Sequence, residues 1–388
     1  MASLLRSLVG TMILGVCTAG ALQAAPPPPP EAGVTASSVT IGQSAAFSGP
    51  AADLGNEYRN GALAYFEYIN GQGGVHGRKI LLKSLDDGYE PSRTVTNTKK
   101  FVDEDRVFAL FGYVGTPTSL AAKPYFVSGK LPFFAPFTGA DALRNPPNRY
   151  VFNVRASYEA EMQAMVAQLS RVGITRIAVF YQNDAYGQAG LDAAEKAFAK
   201  AKLKALAYGS VERNTTDVAK AVATIAKAEP QAVLMVSAYK SCAAFIREMQ
   251  KAGTNPQFLN LSFVGPRSLA TELGEAGRGV VVAQVVPFPW NVGSTVVKDY
   301  QRIFGAYNGK PEFSFTSLEG FIAAKLFVEG LRRTGPGPKL TRENFITALE
   351  SAGTIDLGGF SVGFGSEDRG GSRFVELTII TKNGGFMR

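Results

Sequence analysis

The chain is predicted to be an α/β protein with two doubly wound parallel-sheet lobes. Three observations carry this expectation. At 388 residues it exceeds what one ordinary hydrophobic core organises. Short apolar runs alternate with helix-periodic segments almost without interruption, the pattern of parallel strands joined by crossover helices. The alternation then restarts near Tyr158 and runs through a second half of comparable length.

The first 25 residues read as a secretory signal, with Arg6 as the positive start, Leu8 to Val16 as the apolar stretch and Leu22-Gln23-Ala24-Ala25 supplying small residues for cleavage. A membrane anchor is the alternative, because Leu8 to Ala25 is uncharged, although Gly, Thr and Ala dilute it. Cys17 follows Leu14-Gly15-Val16, which is close to a lipoprotein box, but Val16 stands where a small residue is expected. Signal cleavage without a lipid anchor at Cys17 is the expectation. The run "APPPPPEAG" (Ala25 to Gly33) opens a stiff polyproline-like spacer, placed at 26–37.

Val39 to Gly42 opens the first strand. Leu54 to Asn70 is helical, with Leu54, Ala62, Phe66 and Ile69 on one face. "RKILLKSLDD" alternates as a strand, and Pro91 starts a helix through Glu104. "VFALFG" is a buried strand, Thr118 to Ser128 a helix, "LPFFAPF" and "YVFNV" strands. The second half begins with a helix over Tyr158 to Arg171. Strands "RIAVFYQ", "KALAYGSV" and "AVLMVSA" alternate with helices over Tyr186 to Lys200, Val218 to Ala228 and Tyr239 to Ala252. "QFLNLSF" and "GVVVAQVVPF" are strands. Helices over Val296 to Tyr307, Ser317 to Leu331 and Thr341 to Glu350 follow, and "FVELTIITKNG" closes as a strand and turn.

Composition narrows the chemistry. Hydrophobic content of 46% and charged content of 19% fit a packed, water-soluble protein. The net charge of +8 becomes +7 without the leader and is spread along the chain. No Lys/Arg-dense stripe with interleaved aromatics marks a nucleic-acid surface. After leader cleavage Cys242 is the sole cysteine, so no internal disulfide forms; it sits in an apolar helix pattern as a buried thiol. The single histidine, His76, lies in a glycine turn, which excludes a multi-histidine metal centre and favours a solvated turn residue over a catalytic base. No metal or other cofactor is expected.

In doubly wound sheets, ligands bind outside the carboxyl ends of the strands, and two facing lobes make a cleft there that hinge closure can bury. Several loops fall at such ends. In "LFGYVGTPTSLAAKP", Gly112 permits the turn, Thr116 suits an N-cap and Pro117 the first helical position. The Thr116 hydroxyl and the N–H groups of Thr118 and Ser119 can meet an anion, or simply cap the helix. No phosphate-loop lysine pattern and no Gly-x-Gly-x-x-Gly fingerprint occurs here, which disfavours a nucleotide. In "FAPFTGADALR", Phe137, Thr138 and Gly139 can touch a ligand, although Thr138 to Asp141 also fits a capping box. Ser44, Ser48 and Gly49 follow the first strand; Asp184, Tyr186 and Tyr239 follow strands of the second half. Local turn duty competes with ligand contact at each.

These segments together resemble a family. "VTIGQSAAFSGPAADLGNEYRNGALAYFEYINGQGGVHGRKILLKSLDDGYEPSRTVTNTKKFV" is similar to the opening of the periplasmic leucine/isoleucine/valine-binding proteins of ABC transporters, with "INGQGGVHGRKI" and "LDDGYEPSR" the most specific parts. "FGYVGTPTS", "FAPFTGA", "RIAVFYQNDAYGQAGL" and "VLMVSAY" continue the resemblance in order. It implies a type I periplasmic binding protein fold with three hinge crossovers near Asn153 to Ala156, Val285 to Pro287 and Gly371 to Arg373. The implied division is lobe one at 38–154 and 286–371, and lobe two at 155–285 and 372–388.

The resemblance further implies a monomeric solute receptor that feeds an ABC permease in the inner membrane. Its ligand carboxylate would be held by the Thr116 loop and by Phe137 to Gly139, with Tyr186 and Tyr239 closing from the second lobe. The chain departs from the family where branched-chain binders use a second-lobe acid for the ligand ammonium. The matching stretch "LSFVGPRS" offers only Ser262 and Phe263, and an unpaired buried ammonium is costly. Either Asp184 substitutes, or the ligand has no ammonium. Tyr113, Phe137, Tyr158, Tyr186, Tyr239 and Phe263 would line an aromatic cleft for a small carboxylate: a branched-chain or aromatic amino acid, or an aromatic acid. A sensing domain that signals through a partner protein is the alternative function, since one fold serves both. An α/β enzyme lacks support from histidine, nucleotide or metal motifs.

Overall fold

The computed structural model describes residues 31–309 and 312–388. The expected signal, Cys17 and the five prolines of the spacer lie outside the described residues.

The first sheet contains β1 (Ser38–Ala45), β2 (Lys79–Asp86), β3 (Ala109–Phe111), β4 (Phe133–Phe134) and β5 (Val151–Phe152). Its order is β2-β1-β3-β4-β5, and every pairing is parallel. Helices α1 (Ala52–Gly71), α2 (Pro91–Lys99) and α3 (Thr116–Ser128) make the crossovers. The chain then passes to a second layer of α4 (Tyr158–Arg171), β6 (Ile177–Gln182), α5 (Ala185–Ala201), β7 (Tyr208–Val211), α6 (Ala219–Lys227), β8 (Ala232–Val236), α7 (Tyr239–Lys251), β9 (Gln257–Asn260), α8 (Pro266–Leu273) and β10 (Val281–Gln284).

It returns to the first layer as α9 (Thr295–Asn308), α10 (Phe315–Thr334) and α11 (Arg342–Glu350), and makes a hairpin of β11 (Thr354–Asp356) and β12 (Ser361–Gly363). Finally β13 (Glu376–Ile380) and β14 (Phe386–Met387) join the second sheet, whose order is β14-β13-β10-β9-β8-β6-β7. Strands β10 to β7 are parallel, while β13 and β14 add antiparallel at the edge. Three passages between the layers result. The first and third are tied together: Asn153 N–H donates to the Arg369 carbonyl at 3.2 Å, and Ser372 N–H to the Val154 carbonyl at 2.9 Å.

Several expected elements come out shorter or altered, for local reasons. "LPFFAPF" keeps only Phe133–Phe134 as strand, because Pro132 and Pro136 lack donors and Ala135 sits at φ 52°. The Pro91 helix widens into a π-helical turn at Lys100–Glu104. Helix α8 and the β11–β12 hairpin were not anticipated. Their signals are nevertheless present: Gly265-Pro266 before α8, and Gly358-Gly359, both at positive φ, between the strands. Cys242 is buried in α7. His76 occupies its turn at φ 49° and its Nε2 lies 3.1 Å from the Arg332 carbonyl.

Candidate functional site

The loop after β3 shows how the chain prepares a site. Gly115, at φ 103°, is the N-cap of α3, so Thr116 and Pro117 occupy the first two helical positions. A Cβ on Gly115 would lie 2.2 Å from the Tyr89 ring, so both backbone conformation and space require glycine. This corrects the expectation that Thr116 is the cap. Its hydroxyl instead lies 2.7 Å from that of Thr138, across from β4. The Thr138 hydroxyl accepts from Ala140 N–H at 3.2 Å and sits 3.2 Å from the Tyr158 hydroxyl. Thr138 therefore closes a short turn rather than a capping box, and the following helix is a single 3-10 turn. A Cβ on Gly139 would meet the Tyr158 ring at 2.5 Å, which lets α4 start hard against this loop.

Around these hydroxyls the two layers meet through aromatic rings. Phe137 lies 5.4 Å from Tyr58 on one side and 5.4 Å from Phe263 on the other. Phe263 lies 4.5 Å from Tyr186 and 6.0 Å from Tyr89, and Tyr186 lies 5.4 Å from Tyr158. All are buried. Burial raises the Tyr158 pKa to about 12 and pushes Tyr186 well above its ordinary value, so both hydroxyls stay protonated donors. The Tyr186 hydroxyl has no hydrogen-bond partner among the described residues.

A buried charge network completes the cluster. Arg155, in the first crossover, is 1% exposed, and its guanidinium sits 4.5 Å above the Phe137 ring. Its Nε lies 3.4 Å from Glu319 on α10, and one terminal nitrogen donates to the Ser262 hydroxyl. Glu161 on α4 accepts from the Ser262 N–H at 2.7 Å and from its hydroxyl at 3.0 Å. Arg144 donates to the carbonyls of Ala140 and Arg155 at 3.1 and 2.9 Å. Burial raises Glu319 to about 7, opposed by the Arg155 and Arg144 cations. Burial likewise raises Glu161, against Arg155 and its Ser262 hydrogen bonds. Burial opposes charge on Arg155, but Glu319 and Glu161 outweigh it and hold its pKa above the ordinary value.

A more exposed set of bonds links the layers at the rim. Arg213, after β7, pairs with Glu90 at 2.9 Å and with Asp184 at 3.2 Å. Asn214 donates to the Gly88 carbonyl at 3.1 Å and to Glu90 at 2.8 Å. Glu90 is 40% exposed, so the pair is worth little in isolation. Arg213→Ala is expected to cost about 1 kcal/mol or less of stability while loosening the closed arrangement. Small-angle scattering should register a larger radius for the variant; an unchanged profile would mean that Arg213 does not hold the layers together.

The remaining expected residues fall in different places. Thr118 turns its hydroxyl back to the carbonyls of Val114 and Gly115. Ser48 is exposed and donates to Asp86 at 2.6 Å, a local turn contact away from the cluster. Tyr113 is buried in a separate core with Phe126 and Phe133, its hydroxyl 3.0 Å from that of Thr98, so it does not line the aromatic cluster. Asp184 caps α5 by accepting from the N–H groups of Tyr186 and Gly187 and is also paired with Arg213; it is not free to meet an ammonium. Tyr239 begins α7 and is raised to a higher pKa by burial and the neighbouring Asp53. Thr116, Phe137, Thr138, Gly139, Tyr158, Tyr186 and Phe263 come together. Arg155, Glu161, Glu319, Tyr58 and Tyr89 were not anticipated. A groove of about 530 Å³ between α3 and α5 reaches this assembly at Thr116, Gly139 and Tyr158. Among the described residues no cluster of His, Cys, Asp and Glu is placed to hold a metal ion.

Comparison with known proteins fits this architecture. Residues 38–384 match the family model described as periplasmic binding protein. The chain is 35% identical to a possible leucine/isoleucine/valine-binding protein from Rhodopirellula baltica SH 1, with a TM-score of 0.86 over 91% of this chain and 96% of that one. It is 33% identical to a substrate-binding periplasmic protein from Ralstonia solanacearum, with a TM-score of 0.84 over 90% and 99% of the two chains. A leucine-, isoleucine-, valine-, threonine- and alanine-binding protein of Pseudomonas aeruginosa is 23% identical over 349 residues, 89% of this chain and 90% of its own length. With two parallel-sheet layers, three crossovers and a family match over nearly all the described residues, the chain belongs to the periplasmic binding protein family and has its type I fold.

Proposed function

We propose that the protein is an extracytoplasmic solute receptor of an ABC importer, which closes its two lobes around a small carboxylate. The observation that carries this is the buried meeting of Phe137 and Thr138 with Tyr186 and Phe263, where side chains from both layers converge on one point. At the start of α3 the Thr116 and Thr118 amides are left to carry the positive end of the helix dipole, whereas Pro117 has no N–H and the Ser119 amide, expected to face the anion, donates to the Gly115 carbonyl at 3.1 Å. Beside them the Thr116 and Thr138 hydroxyls offer donors to a carboxylate. Closure then packs the rings of Tyr186 and Phe263 over the ligand body. Residues 1–25 supply the export signal, and the released receptor docks on an inner-membrane permease. No helix among the described residues is long and apolar enough to cross a membrane. The names of the Rhodopirellula and Pseudomonas relatives support small amino-acid-sized ligands.

The test is a thermal-shift screen of the mature protein, refolded to strip carried-over ligand, against aliphatic and aromatic amino acids and their amine-free counterparts. A ligand at 100 times its Kd adds about 2.7 kcal/mol, a clear rise in Tm. No rise with any acid would overturn the carboxylate assignment. With a ligand in hand, Thr116→Val is expected to weaken binding by about 1–2 kcal/mol. Unchanged affinity in calorimetry would leave Thr116 as a partner of Thr138 alone.

A further inference from the structure

Ser262 stands between a buried acid, Glu161, and a buried cation, Arg155. In this chain the cation at that point is built in. Arg155 reaches Ser262 with one terminal nitrogen and lies against Glu319 with Nε, while Glu161 holds Ser262 from behind. Both second-layer and first-layer acids near the cluster thus already face a permanent positive charge. A ligand ammonium brought here would stand beside a guanidinium and compete with it for the same two carboxylates.

Four buried donors of this network have no hydrogen-bond partner among the described residues: Arg144 Nε, Arg155 Nε, Arg155 Nη1 and the Tyr186 hydroxyl. Of these, Arg155 Nε still has the Glu319 carboxylate 3.4 Å away. The Arg155 and Tyr186 side chains are fully buried, at 1% and 0% exposure. Buried donors without acceptors are costly and uncommon, and two that share one cluster, Arg155 Nη1 and the Tyr186 hydroxyl, point to a shared acceptor. Their surroundings are apolar and flat: Phe137 under the guanidinium at 4.5 Å, and Phe263 against Tyr186 at 4.5 Å.

We propose that Arg155 and Tyr186 join the Thr116 and Thr138 hydroxyls in donating to the carboxylate of a ligand without an amine, and that Arg155 is the residue that selects organic acids over amino acids. This rests on the receptor assignment above and narrows its ligand class. The Phe137 and Phe263 rings, now in mutual contact, part on lobe opening and take the apolar body of the acid on closure. An oxygen on Arg155 Nη1 adds negative charge near Glu319, which favours its protonated form, so acid binding takes up a proton near neutral pH. An ammonium at the same place would release one. The groups facing Glu319 are Arg155, Arg144, Glu161 and Tyr58, and a nearby anion favours the protonated form of each, so none of the four releases a proton on anion binding.

The experiment is calorimetry on the refolded mature protein at pH 7 in two buffers of different ionisation enthalpy. The probes are benzoate, phenylacetate and 4-methylpentanoate, each beside phenylalanine and leucine. The expected result is binding of at least one amine-free acid, with proton uptake, and weaker binding of the amino acids. Tyr186→Phe should reduce that affinity about 10-fold, and Arg155→Lys about 10- to 100-fold, the scale of hydrogen bonds to a charged group. Arg155→Lys keeps the buried charge, so its melting curve reports whether the fold survives; if it does not fold, Tyr186→Phe and the sign of proton exchange carry the test. Binding of amino acids alone, or proton release on binding, would overturn the selection by Arg155 while leaving the receptor assignment intact. Binding of none of the probes would overturn both.

Discussion

Arg155→Met is expected to cost about 3–5 kcal/mol of stability at pH 8, the scale of breaking a buried ion pair from one side, and much less at pH 5. The pH dependence follows from Glu319. Its native pKa of about 7 lies above its ordinary 4.5, so it is protonated in both states below the lower value. Between the two values the folded protein holds a proton that the unfolded chain has released. Its contribution to stability is therefore complete below about pH 4.5 and is lost as pH rises through about 7. Glu161 is raised by the same cause and acts in the same direction. Removing Arg155 takes away the cation that opposes both shifts. Each glutamate then stays protonated to higher pH, at about 1.4 kcal/mol per pH unit above its unfolded pKa. Urea unfolding at pH 5 and pH 8 measures the difference. Adding Glu319→Gln to the variant should restore part of the loss at pH 8 only. An equal loss at both pH values would show that Arg155 acts through the packing of its guanidinium on Phe137 rather than through its pairing with the glutamates.

Local sequence carried the layers and most of the elements because each of those rests on neighbours a few residues away. Tyr158–Arg171 is a helix with its buried face at Met162, Met165, Val166 and Leu169, a spacing visible in one window. Tyr113 shows where such reasoning stops. It sits two residues beyond Phe111, and strict alternation would set both on one face. Gly112, at φ 58°, breaks the pleat, so Tyr113 joins Leu110 in the outer core while Phe111 packs under α1. Asp184 was legible as a polar residue at a strand end, but its use as a cap and as a partner of Arg213 depends on a residue 29 positions away.

The charge network was the least legible part. Glu161 lies two residues after Glu159 at the start of a helix, where acids ordinarily face solvent and suit the dipole. Glu159 does so; Glu161 is buried. Its partner Ser262 is 101 residues distant, and nothing in either neighbourhood announces the other. The stretch "LSFVGPRS" carries no acid, and its Ser262 is held by Glu161 and by Arg155.

Gly320→Val is expected to destabilise the protein by more than about 3 kcal/mol, beyond the usual range for overpacking. A Cβ on Gly320 would lie 2.0 Å from the Tyr58 carbonyl oxygen, and one on Gly61 would lie 1.8 Å from that of Ser317. The two glycines therefore let α1 and α10 touch backbone to backbone, with no side-chain rotamer able to relieve a clash. Parting the helices has a consequence for binding as well as for folding. Tyr58 donates from α1 to the Ala135 carbonyl at 2.9 Å, fixing the turn that precedes Phe137, and Glu319 precedes Gly320 on α10. Both the ring floor and the carboxylate beside Arg155 thus move with this contact. Gly320→Ala is the milder probe and should lower both Tm and ligand affinity. Gly71→Ala, at the end of α1 with open space around its Cβ position, is the control and should change stability by about 1 kcal/mol or less, toward a gain. If Gly320→Ala lowered Tm but left affinity untouched, the helix pair would be a scaffold independent of the site. Loss of both, with Gly71→Ala neutral, would establish that the position of Glu319 against Arg155 is set by how closely two helix backbones approach.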